Sequence, residues 1–291
     1  MLIYSCIRKP SRQKRFPPVH PKLFELNFFG LSLPLHTYGL MIATGFLIAM
    51  MLSARQATKE HEDADRIVDM AFYVLLAGLL GARVIFIITK FDDYMRNPIE
   101  ILMFWRGGLV WYGGFIGAAL FLVFYSRRYK INFFKYADIL VPYMALAHAI
   151  GRFGCLAAGC CHGKPTDFFL GVSFPADSMA AHSHQVEGLI APGVASLPVH
   201  PTQLYEAGAE FLLFLFLLWI RRAKVFHGQI LLVWLGAYPV IRSIIEMFRG
   251  DKGRGVYILS TSQYISIGIA MVAIVLYFKL RQKRISSELS A

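Results

Sequence analysis

Apolar runs of about 20 residues recur along the chain and restrict its fold more than any other feature. A helix needs about 20 apolar residues to cross a bilayer, and its backbone hydrogen bonds must be satisfied inside the membrane. The sequence predicts seven such spans, near residues 38–54, 67–89, 109–125, 137–156, 202–220, 229–248 and 263–278. We therefore expect an all-α polytopic membrane protein with about seven transmembrane helices.

Composition agrees with a membrane protein and argues against nucleic acid as a partner. Only 16% of the residues are charged, whereas about a quarter are charged in a typical soluble protein. The net charge of +12 comes mostly from short loops between the apolar spans. Basic loops of this kind face lipid headgroups and set membrane topology. Membrane lipids are therefore the expected partners.

The polar segments divide the chain into five parts. Residues 1–22 form a basic tail. No apolar segment directly follows its basic residues, so the tail does not resemble a signal peptide. Residues 23–156 hold predicted transmembrane helices 1–4, and 202–280 hold helices 5–7. Residues 157–201 are too polar and too rich in Gly and Pro to span, so a small head is expected there. Residues 281–291 form a second tail.

The basic residues of the loops predict the orientation of the chain. The loops after the first, third and fifth spans, together with the C-terminal tail, carry most of the Lys and Arg residues that lie close to spans. Basic loops stay on the cytoplasmic side. We expect a multi-pass protein with a cytoplasmic C-terminus and an extracytoplasmic head at 157–201.

The stretch 148–163 combines ionisable and small residues at the end of the fourth span. His148, Arg152 and Cys155 are spaced to share one face of a helix. Ionisable residues inside a membrane are costly and usually mark a substrate path. Glycines such as Gly154 and Gly163 would let a bulky anionic group approach the backbone. This pattern predicts a phosphate site within the membrane.

Two later spans carry matching polar residues. Gln203, Glu206 and Glu210 have the spacing of one helix face, as do Arg242, Glu246 and Arg249. Two guanidinium groups, from Arg152 and Arg242, would match phosphate oxygens, with the glutamates holding them in place. The alternative is that these residues form buried ion pairs that only fix helix packing.

Two tyrosines lie where spans begin. Tyr38 opens the first span and is either an interfacial anchor or a part of the site. Tyr112 lies on a glycine-flanked turn before the third span, where substrate would reach it. Gly113 and Gly117 follow with a spacing that permits close helix packing.

Three cysteines, at positions 155, 160 and 161, precede His162. Their spacing is not the C-x2-C pattern usual for zinc, and a fourth ligand would have to come from elsewhere. A disulfide from Cys155 to Cys160 or Cys161 is conceivable in an oxidising compartment. Small buried residues are the favoured interpretation, so no metal and no cofactor are expected.

Five segments together resemble the prolipoprotein diacylglyceryl transferase family, from about residue 20 to residue 278. They are His36-Thr-Tyr-Gly-Leu-Met41, Gly107-Gly-x3-Tyr112-Gly-Gly-x-Ile-Gly117, Gly151-Arg-x-Gly154, His200-Pro-Thr-Gln-Leu-Tyr-Glu206 and Arg242-x3-Glu246-x2-Arg249. The resemblance implies a bundle of seven helices in the bacterial inner (plasma) membrane with a small periplasmic head. It also implies transfer of a diacylglyceryl group from phosphatidylglycerol to the lipobox cysteine thiol of prolipoproteins, forming a thioether while glycerol phosphate leaves.

The resemblance also assigns roles to residues. Arg152 and Arg242 match arginines that bind phosphatidylglycerol and stabilise the departing phosphate. The candidate catalytic residues are Tyr38, Tyr112, Arg242 and His200, and the candidate substrate-binding residues are Arg152, Arg242, Gly154, Gly163, Glu206, Glu246, Arg249 and His148.

The chain departs from the family pattern at two places. Tyr112 stands where the family usually has a histidine, a proposed general base. The run from Cys155 to Cys160 stands where the family usually has Asn-Phe-x-Asn-Gly-Glu. An ordinary phenol, with a pKa of about 10, is a poor base at neutral pH. His148, His162, His200 or solvent would then take the proton. The departures leave open a related transferase with another phospholipid or thiol acceptor, and a phospholipid-binding protein without catalysis.

Overall fold

The protein is described by a computed structural model at residues 22–28, 31–96, 98–102, 108, 110–250, 255–256 and 259–289. The helices are α1 Thr37–Lys59, α2 Ala64–Thr89, α3 Phe91–Arg96, α4 Trp111–Arg128, α5 Phe133–Ala158, α6 Met179–Val186, α7 Thr202–Arg221, α8 Gln229–Glu246 and α9 Thr261–Leu289, with a 3-10 turn at Pro98–Leu102. The strands pair as two antiparallel hairpins, β1 Lys22–Phe28 with β2 Leu31–His36, and β3 Gly255–Val256 with β4 Leu259–Ser260.

A helix lies at each of the seven predicted spans. Within the described residues, six helical segments are long and apolar enough to cross a membrane, namely Thr37–Lys59, Ala64–Thr89, Phe133–Ala158, Thr202–Arg221, Gln229–Glu246 and Gln263–Ile285. The prediction of a helical polytopic membrane protein is confirmed. The third predicted span corresponds to α4, which is 18 residues long and is not among the six. The count of seven spans therefore stays a prediction.

The β1–β2 hairpin was not anticipated by the sequence analysis. Its register pairs Lys22 with His36 at one end and Phe28 with Leu31 at the other. Leucines alternate with other residues along β2, and this period of two is typical of a strand. The alternation covers only six residues, so it was too short to stand out beside the longer apolar runs.

Residues 48–143 form one compact unit, in which α2 packs against α4. A Cβ added to Gly117 would lie only 3.1 Å from the Gly81 Cα, so the two helices approach each other at glycines. The packing role predicted for Gly117 is confirmed. Arg83 of α2 is buried and donates hydrogen bonds to the carbonyl oxygens of Glu100, Ile101 and Gly108. It thereby fixes the segment that leads into α4.

The other unit comprises residues 1–47 and 144–291. It contains the segment 157–201, where the head was predicted. Helix α5 runs on to Ala158, and the structure places a single eight-residue helix, α6, in the rest of that segment. Ser178 caps α6 by accepting a hydrogen bond from the Ala181 N–H. The segment contains a small apolar cluster of Val172, Phe174, Ala180 and Val199, against which Leu156 of α5 packs. The extramembrane position of this head stays a prediction.

Candidate functional site

The polar faces predicted for the fourth and fifth spans meet in the structure. Arg152 of α5 donates a hydrogen bond from Nη2 to Oε1 of Glu206 in α7, at 2.6 Å. One turn earlier on α5, His148 Nδ1 lies 3.0 Å from Oε1 of Glu210. His148 and Arg152 of α5 therefore both face carboxylates of α7, and Glu206 lies near both, since its Oε1 is also 3.9 Å from His148 Nε2.

Both carboxylates are almost fully removed from solvent. Glu206 is 1% exposed and Glu210 is 0% exposed. Burying a charge is costly unless its partners satisfy it. Within the described residues, Arg152 Nε, Glu206 Oε2 and Glu210 Oε2 have no hydrogen-bond partner. The cluster therefore keeps an unused donor on Arg152, which is what a site for an anionic ligand requires.

Helix α8 supplies the second arginine. Arg242 Nη2 lies 2.7 Å from Glu246 Oε2, and Nη1 has no hydrogen-bond partner among the described residues. One turn earlier, Tyr238 stacks on Trp234, with ring centroids 5.3 Å apart, and its ring lies 5.7 Å from that of His148. Tyr238 of α8 thus contacts the α5 face that carries His148.

Tyr238 is a site residue that the sequence analysis missed. Its hydroxyl lies within electrostatic range of Arg152, Arg242 and Glu206. The signal was present in the sequence, because Tyr238 precedes Arg242 by four residues and so shares its helix face. Its aromatic character made it look like an ordinary residue of an apolar span.

The prediction that Arg249 continues the helix face of Arg242 and Glu246 is wrong. Helix α8 ends at Glu246, and Arg249 instead forms an isolated antiparallel bridge with Gly163. The Gly250 N–H donates to the His162 carbonyl, which holds the crossing in place. Arg249 is buried beside the turn that follows α5, not on the α8 face.

Gly163 lies where three segments cross. A Cβ added there would come within 2.6 Å of the His200 Cβ and 2.8 Å of the Phe248 carbonyl oxygen. No side chain fits in this space, so glycine is required for packing. The substrate-binding role of Gly163 stays a prediction. The close packing at Gly163 also positions His200, whose Nδ1 lies 3.2 Å from the Tyr205 hydroxyl.

The first turn of α1 packs against α5 at Gly154. A Cβ on Gly154 would lie 3.1 Å from the Tyr38 Cα and 3.1 Å from the Met41 Cβ. The Tyr38 hydroxyl is within electrostatic range of Arg152 and of the nearby cysteines. The structure thus places the first turn of α1 beside α5, the helix that carries Arg152, and a role of Tyr38 in the site stays a prediction.

The chain after α5 turns sharply and gathers three cysteines. Gly159 and Cys161 both have left-handed backbone conformations, with φ of 65° and 58°. The Sγ atoms of Cys155, Cys160 and Cys161 all lie within 4.8 Å of one another, and the three are free thiols. Side chains at the start of α7 hold the turn, because Thr202 Oγ1 donates to the Cys161 carbonyl at 2.6 Å.

The environment of this turn favours ionisation of one thiol over another. Hydrogen bonds from the Cys155 and Cys160 thiols lower the pKa of Cys161, and the Arg249 and Arg152 guanidinium groups lower it further. The neighbouring thiols and burial raise the pKa of Cys160. A negative charge in the cluster is therefore placed first on Cys161.

The candidate bases differ in their surroundings. His148 is oriented by a buried carboxylate, as in many catalytic histidines. The Nδ1 of His162 lies 3.1 Å from the Gly163 carbonyl oxygen, and the Nδ1 of His200 faces a tyrosine hydroxyl. Tyr112 is the second residue of α4, in the unit of residues 48–143, and its side chain lies outside the described part of the chain.

Comparison with known proteins gives one consistent result. A family model described as prolipoprotein diacylglyceryl transferase matches residues 26–279, which include every candidate site residue. A Clostridium tetani protein named phosphatidylglycerol–prolipoprotein diacylglyceryl transferase is 37% identical over 257 residues, covering 88% of this chain and 96% of its own length. Phosphatidylglycerol–prolipoprotein diacylglyceryl transferase 2 of Clostridium perfringens is 35% identical over 251 residues, with coverages of 86% and 92%. A Finegoldia magna protein with the same name as the C. tetani one is 30% identical over 265 residues.

Proposed function

Because the chain belongs to the prolipoprotein diacylglyceryl transferase family, we propose that it transfers the diacylglyceryl group of phosphatidylglycerol to the lipobox cysteine thiol of prolipoproteins. The product is a thioether, and glycerol phosphate leaves. The reaction takes place in the bacterial inner (plasma) membrane, with the head at 157–201 outside the cytoplasm.

The observation that carries this proposal is the buried Arg152 with an unused donor. Glu206 holds one arm of the guanidinium at 2.6 Å, while Nε has no hydrogen-bond partner among the described residues. A planar guanidinium fixed in this way offers forked donors that match phosphate oxygens. Arg152 is therefore suited to hold the phosphate of the donor lipid.

The chemistry requires that charge be stabilised on a leaving phosphate. When the carbon–oxygen bond of the donor breaks, negative charge develops on the departing phosphate oxygen. Fixed positive groups aimed at that charge lower the barrier. Arg242, held by Glu246 and with Nη1 unpartnered among the described residues, supplies a second such group. Tyr238, on the same helix as Arg242, packs against the His148 ring of α5.

Replacing Arg152 with Lys tests the proposal, because Lys keeps the charge and loses the fork. Loss of one charge-assisted contact costs about 1.5–3 kcal/mol, so transfer from labelled phosphatidylglycerol to a lipobox peptide should fall about ten- to a hundred-fold. Arg127→Lys is the matched control, since Arg127 is exposed at the end of α4. Thermal stability in detergent is measured for both variants, so that unfolding is not mistaken for loss of binding.

The outcomes separate this function from its rivals. Wild-type transfer by a folded Arg152→Lys protein would contradict the assigned role of Arg152. Transfer to a small thiol but not to the lipobox peptide would favour a related transferase with another acceptor. Binding of phosphatidylglycerol without transfer to any thiol would identify a lipid-binding protein.

A further inference from the structure

The cluster of Cys155, Cys160 and Cys161 has the form of a metal site with one open position. The three sulfurs lie within 4.8 Å of one another. In a tetrahedral zinc site with Zn–S bonds of about 2.3 Å, sulfur atoms are about 3.8 Å apart. Small side-chain rotations are enough to close this difference. Among the described residues, no other group of three His, Cys, Asp or Glu side chains converges in this way.

The backbone turn makes this convergence possible. Cys155 lies on the last turns of α5, and two left-handed residues, Gly159 and Cys161, fold the chain back toward it. A non-glycine residue in this conformation is uncommon and persists only where its surroundings hold it. Thr202 and Gln203 do so by donating to the Cys161 and Cys160 carbonyls, at 2.6 and 2.7 Å.

The donor set selects the kind of metal. Three thiolates are soft ligands that suit a thiophilic ion such as Zn²⁺, and not Mg²⁺ or Ca²⁺. His162 does not complete a closed site, because it does not belong to the group of ligand atoms that lie within 4.8 Å of one another. Cys160 and Cys161 remain partly exposed. The fourth position is thus left open toward solvent, as in catalytic zinc sites.

The site adjoins the phosphate-binding arginine. Arg152 Nη1 lies 4.0 Å from Cys155 Sγ. Zinc with three thiolates carries one net negative charge, which the Arg152 guanidinium offsets. A fourth ligand bound at this metal would lie next to the donor phosphate that Arg152 is proposed to hold.

We propose that Cys155, Cys160 and Cys161 bind Zn²⁺, and that the open fourth position takes the sulfur of the acceptor thiol. The second part rests on the function proposed above. A thiol coordinated to zinc loses its proton, so the metal supplies the nucleophile at neutral pH. This accounts for both departures from the family pattern, because a metal that ionises the thiol removes the need for a histidine at position 112.

The step balances without any further reactant. The acceptor thiol gives its proton to solvent when its sulfur binds. The sulfur then attacks the glycerol carbon that bears the phosphate, forming the carbon–sulfur bond. The carbon–oxygen bond breaks, and its electron pair leaves with glycerol phosphate. No atom is oxidised or reduced.

The first experiment measures metal in the whole protein, purified in detergent under reducing conditions. Elemental analysis should find about one zinc ion per chain. Single Cys→Ser changes at 155, 160 and 161 should each weaken zinc binding by about a hundred-fold or more. This loss exceeds the one typical when a residue that only hydrogen-bonds to a metal ligand is changed. Cys6→Ser, which removes the fourth cysteine of the chain, should leave zinc content unchanged. A metal-free wild-type protein, or copper instead of zinc, would overturn the assignment.

The second experiment tests the open position without relying on turnover. Cobalt substituted for zinc should show the spectrum of tetrahedral thiolate coordination, and a lipobox peptide should change that spectrum. The same peptide with serine in place of cysteine should not. An unchanged spectrum, or full transfer activity after metal removal, would overturn thiol activation by the metal. If metal and peptide bind but phosphatidylglycerol gives no product, the proposed function fails while the metal site stands.

Discussion

At the scale of single residues, Tyr112 distinguishes two ways of ionising the acceptor thiol. If a metal removes the proton, the phenol is not the base. Tyr112→Phe should then lower transfer to a lipobox peptide by less than about ten-fold. A loss of about ten-fold or more is what removal of a proton-transfer group would cause. Initial rates across a pH series provide the measurement. Tyr112→His serves as the comparison and should leave the pH optimum in place.

The opposite result has a clear signature. A loss of ten-fold or more in Tyr112→Phe, together with a lower pH optimum in Tyr112→His, would make Tyr112 the base. His148, held by Glu210 at 3.0 Å, would be the next residue to test if neither Tyr112 nor the metal accounts for ionisation.

The residue patterns of the site were predictable to different extents. Arg152, Glu206 and Glu210 could be found from helical spacing, because charges on one face of an apolar span must meet partners on another. The convergence of the cysteines could not. It depends on left-handed backbone at Gly159 and Cys161, and residue spacing does not reveal whether a non-glycine residue adopts that conformation.

At the scale of helices, the contact of α1 with α5 depends on Gly154. A Cβ there meets Tyr38 Cα and Met41 Cβ at 3.1 Å, and overpacking of this kind costs about 1–3 kcal/mol. Gly154→Ala should therefore shift the start of α1, lower thermal stability in detergent and reduce transfer. Gly268→Ala in α9, with nothing within 4 Å of the added Cβ, should be neutral or stabilising. Equal thermal stability and equal transfer in the two variants would show that α1 can move without affecting the site.

The head contains a buried histidine that links its stability to pH. His184 is 2% exposed, and its Nδ1 accepts a hydrogen bond from the Leu197 N–H at 3.2 Å. Burial, and then the neighbouring His162, lower the pKa of His184 from its ordinary value of 6.5. The unfolded chain therefore takes up the proton first. Stability of the head should fall as pH drops below about 6.5, until the lowered pKa is passed.

Hydrogen exchange of residues 172–199 at about pH 7.5 and about pH 5.5 measures this effect. His184→Asn keeps an acceptor near the Nδ1 position and does not titrate, so most of the pH dependence should disappear. His182→Asn is the control, because His182 is exposed on the same short helix. Unchanged protection of the wild-type head at the lower pH would contradict the role of His184.

Helix ends were less predictable than helix positions. The span near 229–248 was expected to carry Arg249 on its face, but α8 ends at Glu246 and the chain turns to pair with Gly163. Met247 and Phe248 are apolar, so hydropathy gave no sign of the stop. The helix stops because the chain after it pairs with Gly163, a residue distant in sequence.

At the scale of the whole molecule, the orientation in the membrane rests on the basic loops. The predicted orientation puts the segment 157–201 outside the cytoplasm. A single cysteine in the head would report this orientation if the position is accessible. Ser196 lies near the end of the segment, is 2% exposed and accepts a hydrogen bond from the Phe174 N–H. Val186, at the end of α6 and 75% exposed, is the suitable position.

Val186→Cys should react with a membrane-impermeant thiol reagent added to intact cells whose outer layers admit the reagent. Labelling above that of the parent protein is the measurement, because Cys160 and Cys161 are themselves partly exposed. Ser287→Cys in the C-terminal part of the chain is the counterpart and should react only after the cytoplasmic side is opened. Charge on the loops favours this arrangement, since basic residues near the ends of spans resist translocation. The reverse labelling pattern would place the head and its cysteine cluster in the cytoplasm, so the prolipoprotein thiol would have to be reached from that side.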